Sequence, residues 1–297
     1  MIGLRERMDK RWIADLCGRV SILALPMVAL LASLAWMPAG SASAQEDKAE
    51  IRTIRIDGPI TAVTADYLGR ALAQAEAEGA EGFLVELDTP GGSVEAMLEM
   101  GGRMLNAEVP TLVWVGPEGA QAASAGTFIV LAAHAAGMAP RSTIGAASPV
   151  GPGGEDLPET IGRKLTEDLS ATARNYAERR GETAVGWAER AVREAASATS
   201  DEALELGVID AVAEDPSAFV AAIDGAEIEL GGEVLALRTA GAELRPLPTT
   251  PAEDLLALLA NPALALILMT IGVNAILAEL SNPGKVLVHP GSRDQAR

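Results

Sequence analysis

Between Ile51 and Val212, short apolar runs rich in β-branched residues alternate with stretches of helical periodicity, and this alternation constrains the fold more than any other property of the chain. Residues 51–56, 83–87, 111–115, a short segment near Met138 and 208–212 read as strands. Residues 61–78, 94–106, 124–136, 160–180 and 183–195 read as helices. In the first, Val63, Tyr67, Leu68, Leu72 and Ala75 share one face. A further helix starts at Ser200-Asp201-Glu202 and stops at Gly207. Strands separated by helices predict an α/β domain built on a largely parallel sheet. Residues 227–237, broken by Gly231-Gly232, predict a hairpin.

The loops carry the chemistry. Asp88-Thr89-Pro90-Gly91-Gly92-Ser93 interrupts a buried strand ahead of a helix, and its two glycines let backbone N–H groups approach a ligand closely. A helix N-terminus adds the positive end of its dipole. Ser124 sits in the small-residue turn Ala122-Ala123-Ser124-Ala125-Gly126-Thr127, between a strand and a helix. It is the candidate nucleophile. Gly92 N–H and Ala125 N–H are candidate oxyanion donors, with Gly91 and Ser93 as substrate contacts.

A serine needs a base. The two histidines are His134 and His289. On a helix over 124–136, His134 lies about 15 Å along the axis from Ser124 and reads as a core residue. His289 belongs to the polar tail, so a Ser-His-Asp triad is not expected. Of 23 basic residues 19 are arginine, which stays protonated and cannot act as a base. Lys164 is the single lysine between Lys48 and Lys285. An ammonium moved into an apolar pocket loses solvation, and its pKa falls from about 10.4 toward roughly 7–8, where it accepts a serine proton. Lys164 is therefore the candidate base. Its position between Arg163 and Glu167 also fits a solvated helix residue.

Asp88-Thr89-Pro90-Gly91-Gly92, the run from Gly119 to Thr127, and Ile144-Gly145-Ala146-Ala147-Ser148-Pro149-Val150 resemble the motifs of the NfeD family of membrane-associated serine proteases, also called stomatin operon partner proteases. The similarity covers residues 50–285. It implies a Clp protease/crotonase-like domain of repeated β-β-α units, a Ser124–Lys164 dyad and no cofactor. It also implies a substrate, the apolar C-terminal region of a stomatin-like membrane protein, and a fold that commonly assembles as a homo-oligomer. Full-length family members continue through several membrane spans, whereas this sequence stops at Arg297 soon after Asn282-Pro283-Gly284.

The ends of the chain concern its location. Arg5, Arg7, Lys10, Arg11 and Arg19 precede an apolar run from Val20 to Trp36, and Ala42-Ser43-Ala44 supplies an Ala-x-Ala cleavage site. Residues 1–44 thus read as a secretory signal, with an uncleaved anchor as the alternative. Cys17, the sole cysteine, falls inside it. Residues 45–240 form the catalytic domain, 241–254 a linker stiffened by Pro246, Pro248 and Pro251, and 255–281 an apolar segment kinked at Asn261-Pro262. Residues 282–297 are a short polar tail. Acidic Glu253 and Asp254 before the span, with Lys285, Arg293 and Arg297 after it, match a cytoplasmic C-terminus and an extracytoplasmic catalytic domain. A buried helix or one lying in the membrane surface is the alternative for 255–281.

A net charge of −18 leaves no basic stripe for nucleic acid. No metal is expected from two separated histidines and a mature chain without cysteine, and no phosphate-binding loop appears. Two other function classes compare with a protease. One is a non-catalytic membrane scaffold. The other is a crotonase-type acyl-CoA enzyme enlisting Glu86, Glu95 or Glu99, against which the exported location counts.

Overall fold

The computed structural model describes residues 49–151, 153–259 and 262–281. The expected signal segment and polar tail lie outside the described residues. Strand β1 (Glu50–Asp57) leads to helix α1 (Ala62–Ala77), and β2 (Gly82–Asp88) to α2 (Val94–Leu105). Next come β3 (Thr111–Val115), β4 (Gln121–Ala123), α3 (Ala125–Ala132), β5 (Ala135–Met138) and β6 (Thr143–Gly145). Helices α4 (Glu159–Ala177) and α5 (Glu182–Arg193) precede β7 (Ser197–Thr199), α6 (Ser200–Glu205), β8 (Ala211–Val212) and α7 (Pro216–Ala222). The hairpin β9 (Glu227–Leu230) and β10 (Glu233–Ala236), strand β11 (Glu243–Pro246), α8 (Pro251–Leu259) and α9 (Pro262–Ser281) complete the described chain.

The main sheet has the order β11-β1-β2-β3-β5-β8, and every neighbouring pair is parallel. Because side chains alternate across a strand, its two faces bury different sets. Ile54, Ile56, Phe83, Val85, Leu87, Val113 and Val115 face a core shared with α1 to α6. Ile51, Leu84, Leu112 and Trp114 face a second core closed by Phe219 of α7 and Ile228 of the hairpin. Each large apolar side chain withdrawn from water contributes roughly 1.5–3 kcal/mol.

Strands β1, β2, β3 and β5 are each followed by a short extended element of a second layer and then by a helix. Ile60 bridges Gly92, Thr89 bridges Ala122, β4 pairs with β6, and β6 pairs antiparallel with β7. These are repeated β-β-α units. Asp57 pairs with Asp88 and Leu87 with Val115, so the loops after β1, β2 and β3 leave the sheet along one edge.

Two local expectations differ from the structure. The helix expected over 124–136 stops at Ala132, because Ala133 turns extended (ψ 149) and Ala135–Met138 joins the main sheet instead. Helix α6 starts at Ser200 as expected, capped by Thr199, whose side chain accepts from Glu202 N–H. Part of the stretch expected as a linker is a strand, since β11 pairs with β1 from Glu50 to Thr53, and Leu247 N–H extends this by donating to Thr53 O at 2.8 Å.

Candidate active site

The edge where the parallel strands end is where ligands bind in open α/β sheets, and here it carries the loop Asp88–Ser93. This loop is stitched to β4. Thr89 N–H donates to Gln121 O (2.7 Å), Ala123 N–H to Thr89 O (3.0 Å), and Gln121 N–H to the Asp88 carboxylate (3.0 Å). On its other side Ile60 N–H donates to Gly91 O (2.8 Å) and Ser93 N–H to Ile60 O (2.9 Å). Both glycines are demanded by close approach. A side chain at Gly92 would run into the Ile60 backbone, and a Cβ at Gly91 (φ +121) would sit 2.8 Å from Ser124 Cβ. The loop and the serine expected from sequence therefore meet.

Ser124 joins β4 to α3 with φ 51 and ψ −112, outside the regions a non-glycine residue ordinarily occupies. Such a conformation costs on the order of 1–3 kcal/mol and persists only where neighbours enforce it. Its N–H donates to Gly145 O at 2.9 Å. Its half-buried side chain makes no helix-capping hydrogen bond. A sharp strand-to-helix turn that presents a serine oxygen in this way is the geometry of a nucleophile elbow. Ala125 opens α3, so its N–H has no intrahelical acceptor. Neither Ala125 N–H nor Gly92 N–H has a hydrogen-bond partner among the described residues. Both are free to donate to an anionic oxygen. Ser93 caps α2, its Oγ accepting from Ala96 N–H at 3.3 Å.

Lys164 lies in the first half of α4, where residues 159–168 are all partly or fully exposed. It is itself exposed, with no hydrogen bond or ion pair among the described residues, and no bond joins it to Ser124. The second half of α4 buries Leu169, Ala173, Tyr176 and Ala177. There Tyr176 meets Phe128 of α3 edge to face, with centroids 6.5 Å apart. Helix α4 is thus docked on the serine's own helix chiefly by its C-terminal half, while in the half bearing Lys164 only Leu165 packs against the core. Ile161, one turn before Lys164, is 57% exposed, and Val150 is 58% exposed.

His134 is buried and turned away from this chemistry. Its Nδ1 accepts from Thr111 N–H (3.2 Å) and from the Thr111 hydroxyl (2.7 Å), which puts the ring proton on Nε2. Burial, with the repulsion of Arg179 and Arg180, pushes its pKa down to about 4. His289 lies outside the described residues. Glu86 alternates with Val85 and Leu87 and so points to the opposite sheet face from α2, which carries Glu95 and Glu99. Burial raises the Glu86 pKa, partly offset by Arg55. Glu86 also lines a 390 Å³ cavity with Thr53, Tyr67 and Leu247, which does not include Ser124. No group of three His, Cys, Asp or Glu side chains among the described residues is arranged to hold a metal. Sequence reasoning passed over Thr127, whose hydroxyl contacts Gly145 and Ala122. Its place at the end of the serine motif was the only signal.

Comparison with known proteins identifies relatives of this chain. A family model described as the NfeD1b N-terminal domain matches residues 50–222. The membrane-bound protease PH1510 of Pyrococcus horikoshii is 34% identical over 233 residues, which is 77% of this chain and 53% of that protein. Membrane protein NfeD1b of Bacillus subtilis is 25% identical over 252 residues, 82% of this chain and 53% of that protein. The chain thus spans about half the length of the curated relatives it matches. Among solved structures, the 1510-N membrane-bound stomatin-specific protease, as a lysine-to-alanine variant in complex with a substrate peptide, superposes with a TM-score of 0.64 at 33% identity, covering 71% of this chain and 97% of that one. A serine-to-alanine variant of the same protease gives 0.63 at 33% identity, covering 68% and 99%. With the family model matching more than half its length, on a mixed α/β fold with a parallel sheet like that of 1510-N, the chain belongs to the NfeD family.

Proposed function

We propose that this chain is a membrane-tethered serine endopeptidase with a Clp protease/crotonase-like fold, in which Ser124 is the nucleophile and Lys164 the general base. The observation that carries the reading is the strained strand-to-helix turn at Ser124, beside two unpartnered N–H groups, at the edge where the parallel strands end. The relatives add support. In 1510-N the serine and the lysine replaced by alanine lie 41 positions apart, and Ser124 and Lys164 lie 40 apart.

In this mechanism neutral Lys164 takes the Ser124 proton as Oγ attacks the peptide carbonyl, and Gly92 and Ala125 N–H hold the oxyanion. The resulting ammonium returns the proton to the leaving amine, and water then cleaves the acyl-enzyme. For Lys164 to act as the base, the N-terminal half of α4 must hold its amine within hydrogen-bond reach of Ser124 Oγ. An apolar substrate lying along Val150 and Ile161 would desolvate the amine. The substrate class is therefore an apolar segment of a membrane protein, with a stomatin-like protein as the partner the relatives indicate. Helix α9 provides the tether, with the catalytic domain on the extracytoplasmic side and copies of the chain assembling through the domain.

The test is cleavage of an apolar peptide by the full chain, together with labelling by a serine-directed phosphonate mapped by mass spectrometry. Ser124→Ala loses both. Lys164→Arg keeps the charge but not the basicity, and its turnover falls by at least about 100-fold. A Lys164→Arg enzyme as fast as the wild type removes lysine from the mechanism.

A further inference from the structure

We infer that Thr127 is the positioning residue that holds the Ser124 backbone in its attacking conformation; this deepens the protease reading and rests on it. Positive φ at Ser124 is maintained from both sides of the residue. Its N–H donates to Gly145 O at 2.9 Å, and its carbonyl accepts from Thr127 N–H at 3.0 Å. Gly145 is itself gripped by one hydroxyl. Gly145 N–H donates to Thr127 Oγ1 at 3.1 Å, and Gly145 O lies 3.1 Å from the same oxygen. Ala122 O, two residues before the nucleophile, lies 3.0 Å from it as well. The hydroxyl has one hydrogen, so it donates to one of these carbonyls at a time or shares between them while accepting from Gly145 N–H.

Thr127 is 1% exposed, so bulk water does not replace these bonds. The far side of Gly145 is closed too. It adopts φ +127 with the Ala196 carbonyl where a side chain would go, and Ala146 N–H donates to Ala196 O at 3.0 Å. One hydroxyl on the first turn of α3 therefore ties together the end of β4, the end of β6 and the carbonyl that receives the Ser124 N–H. Valine has the same shape and none of these bonds. Serine keeps them all.

The experiment compares full-length wild type, Thr127→Val and Thr127→Ser for kcat and KM on an apolar peptide, phosphonate labelling rate, thermal midpoint and hydrogen exchange of the Ser124 amide. Thr127→Val is expected to fold and keep its KM, to lose about 100-fold in kcat and in labelling rate, and to exchange the Ser124 amide at least about tenfold faster. Thr127→Ser stays within about threefold of wild type on every measure. If the valine variant does not fold, Thr127→Ala carries the same expectations. A valine variant with wild-type kcat and amide protection overturns the inference, as does a loss shared equally by the serine variant or one confined to KM. Wild type as inactive as Ser124→Ala refutes the protease reading alone. The amide-exchange comparison then still decides whether Thr127 holds the turn.

Discussion

At the scale of single residues, the site is organised by what two loops do to each other. Gly91 lies against Ser124 so closely that a methyl group would press on the serine Cβ at 2.8 Å, at a backbone angle (φ +121) that L residues rarely adopt. Gly91→Ala is therefore expected to abolish peptide cleavage while the protein remains folded, with about 1–3 kcal/mol of destabilisation. Activity and chemical denaturation measured together check this. His134 makes a prediction about pH. Folding keeps its imidazole neutral, with a pKa of about 4 against an ordinary 6.5. Its contribution is complete above pH 6.5 and is lost as pH falls toward 4, amounting to roughly 3 kcal/mol. Denaturation curves between these values should show that slope, and His134→Gln should flatten it. An unchanged slope in the variant would place the titration elsewhere.

At the scale of elements, the connection between domain and apolar helix is held by a clasp on α1. Arg70 donates from Nε to Glu253 Oε1 (2.7 Å) and from NH2 to both Glu253 Oε2 (2.9 Å) and Pro248 O (3.0 Å). Its guanidinium stacks 5.4 Å from the Tyr67 ring centroid, and the Tyr67 hydroxyl donates to Leu247 O at 2.6 Å. The Arg70 hydrogen bond, with help from Thr250, holds the Glu253 pKa down at about 2. Since the folded value is depressed, the stabilisation is present above pH 4.5 and lost as pH falls toward 2. Arg70→Ala and Glu253→Ala should each cost about 1–2 kcal/mol, discounted for the partial exposure of Arg70, and should not add in the double variant. Both should speed proteolytic cutting between Leu247 and Pro251. Additive losses would show that the two side chains act independently.

At the scale of the whole molecule, the described chain buries one set of apolar residues and leaves another exposed. The α/β domain buries its apolar residues in two cores, while none of the window Leu264–Ser281 in α9 is buried. Twenty helical residues extend about 30 Å, the thickness of a bilayer's hydrocarbon core. The full chain should float with lipid vesicles and resist alkaline carbonate extraction. A version without residues 251–281 should stay in the aqueous phase and still cleave a soluble apolar peptide. Recovery of the full chain from the aqueous phase without detergent would rule out the tether.

The sequence by itself determined strands β1, β2, β3 and β8 of the main sheet, most of the helices and the apolar segment, because each is written in periodicity over contiguous residues. It could not separate α3 from β5, since an unbroken apolar, alanine-rich run serves a buried helix and a buried strand equally well. Nor did it reveal β4, β6 and β7, three residues each, which exist through pairing with one another, or β11, whose Pro246 reads as linker although an edge strand tolerates it. For the site, motifs named Ser124, Gly91 and Gly92, and the tertiary structure alone brought them together and twisted the serine to positive φ. Composition singled out Lys164 as the candidate base, but its exposed place on the first half of α4 depends on where that helix finds a partner. Local sequence encodes which face a residue presents; the contacts that strain a backbone or leave a helix end free come from segments far apart along the chain.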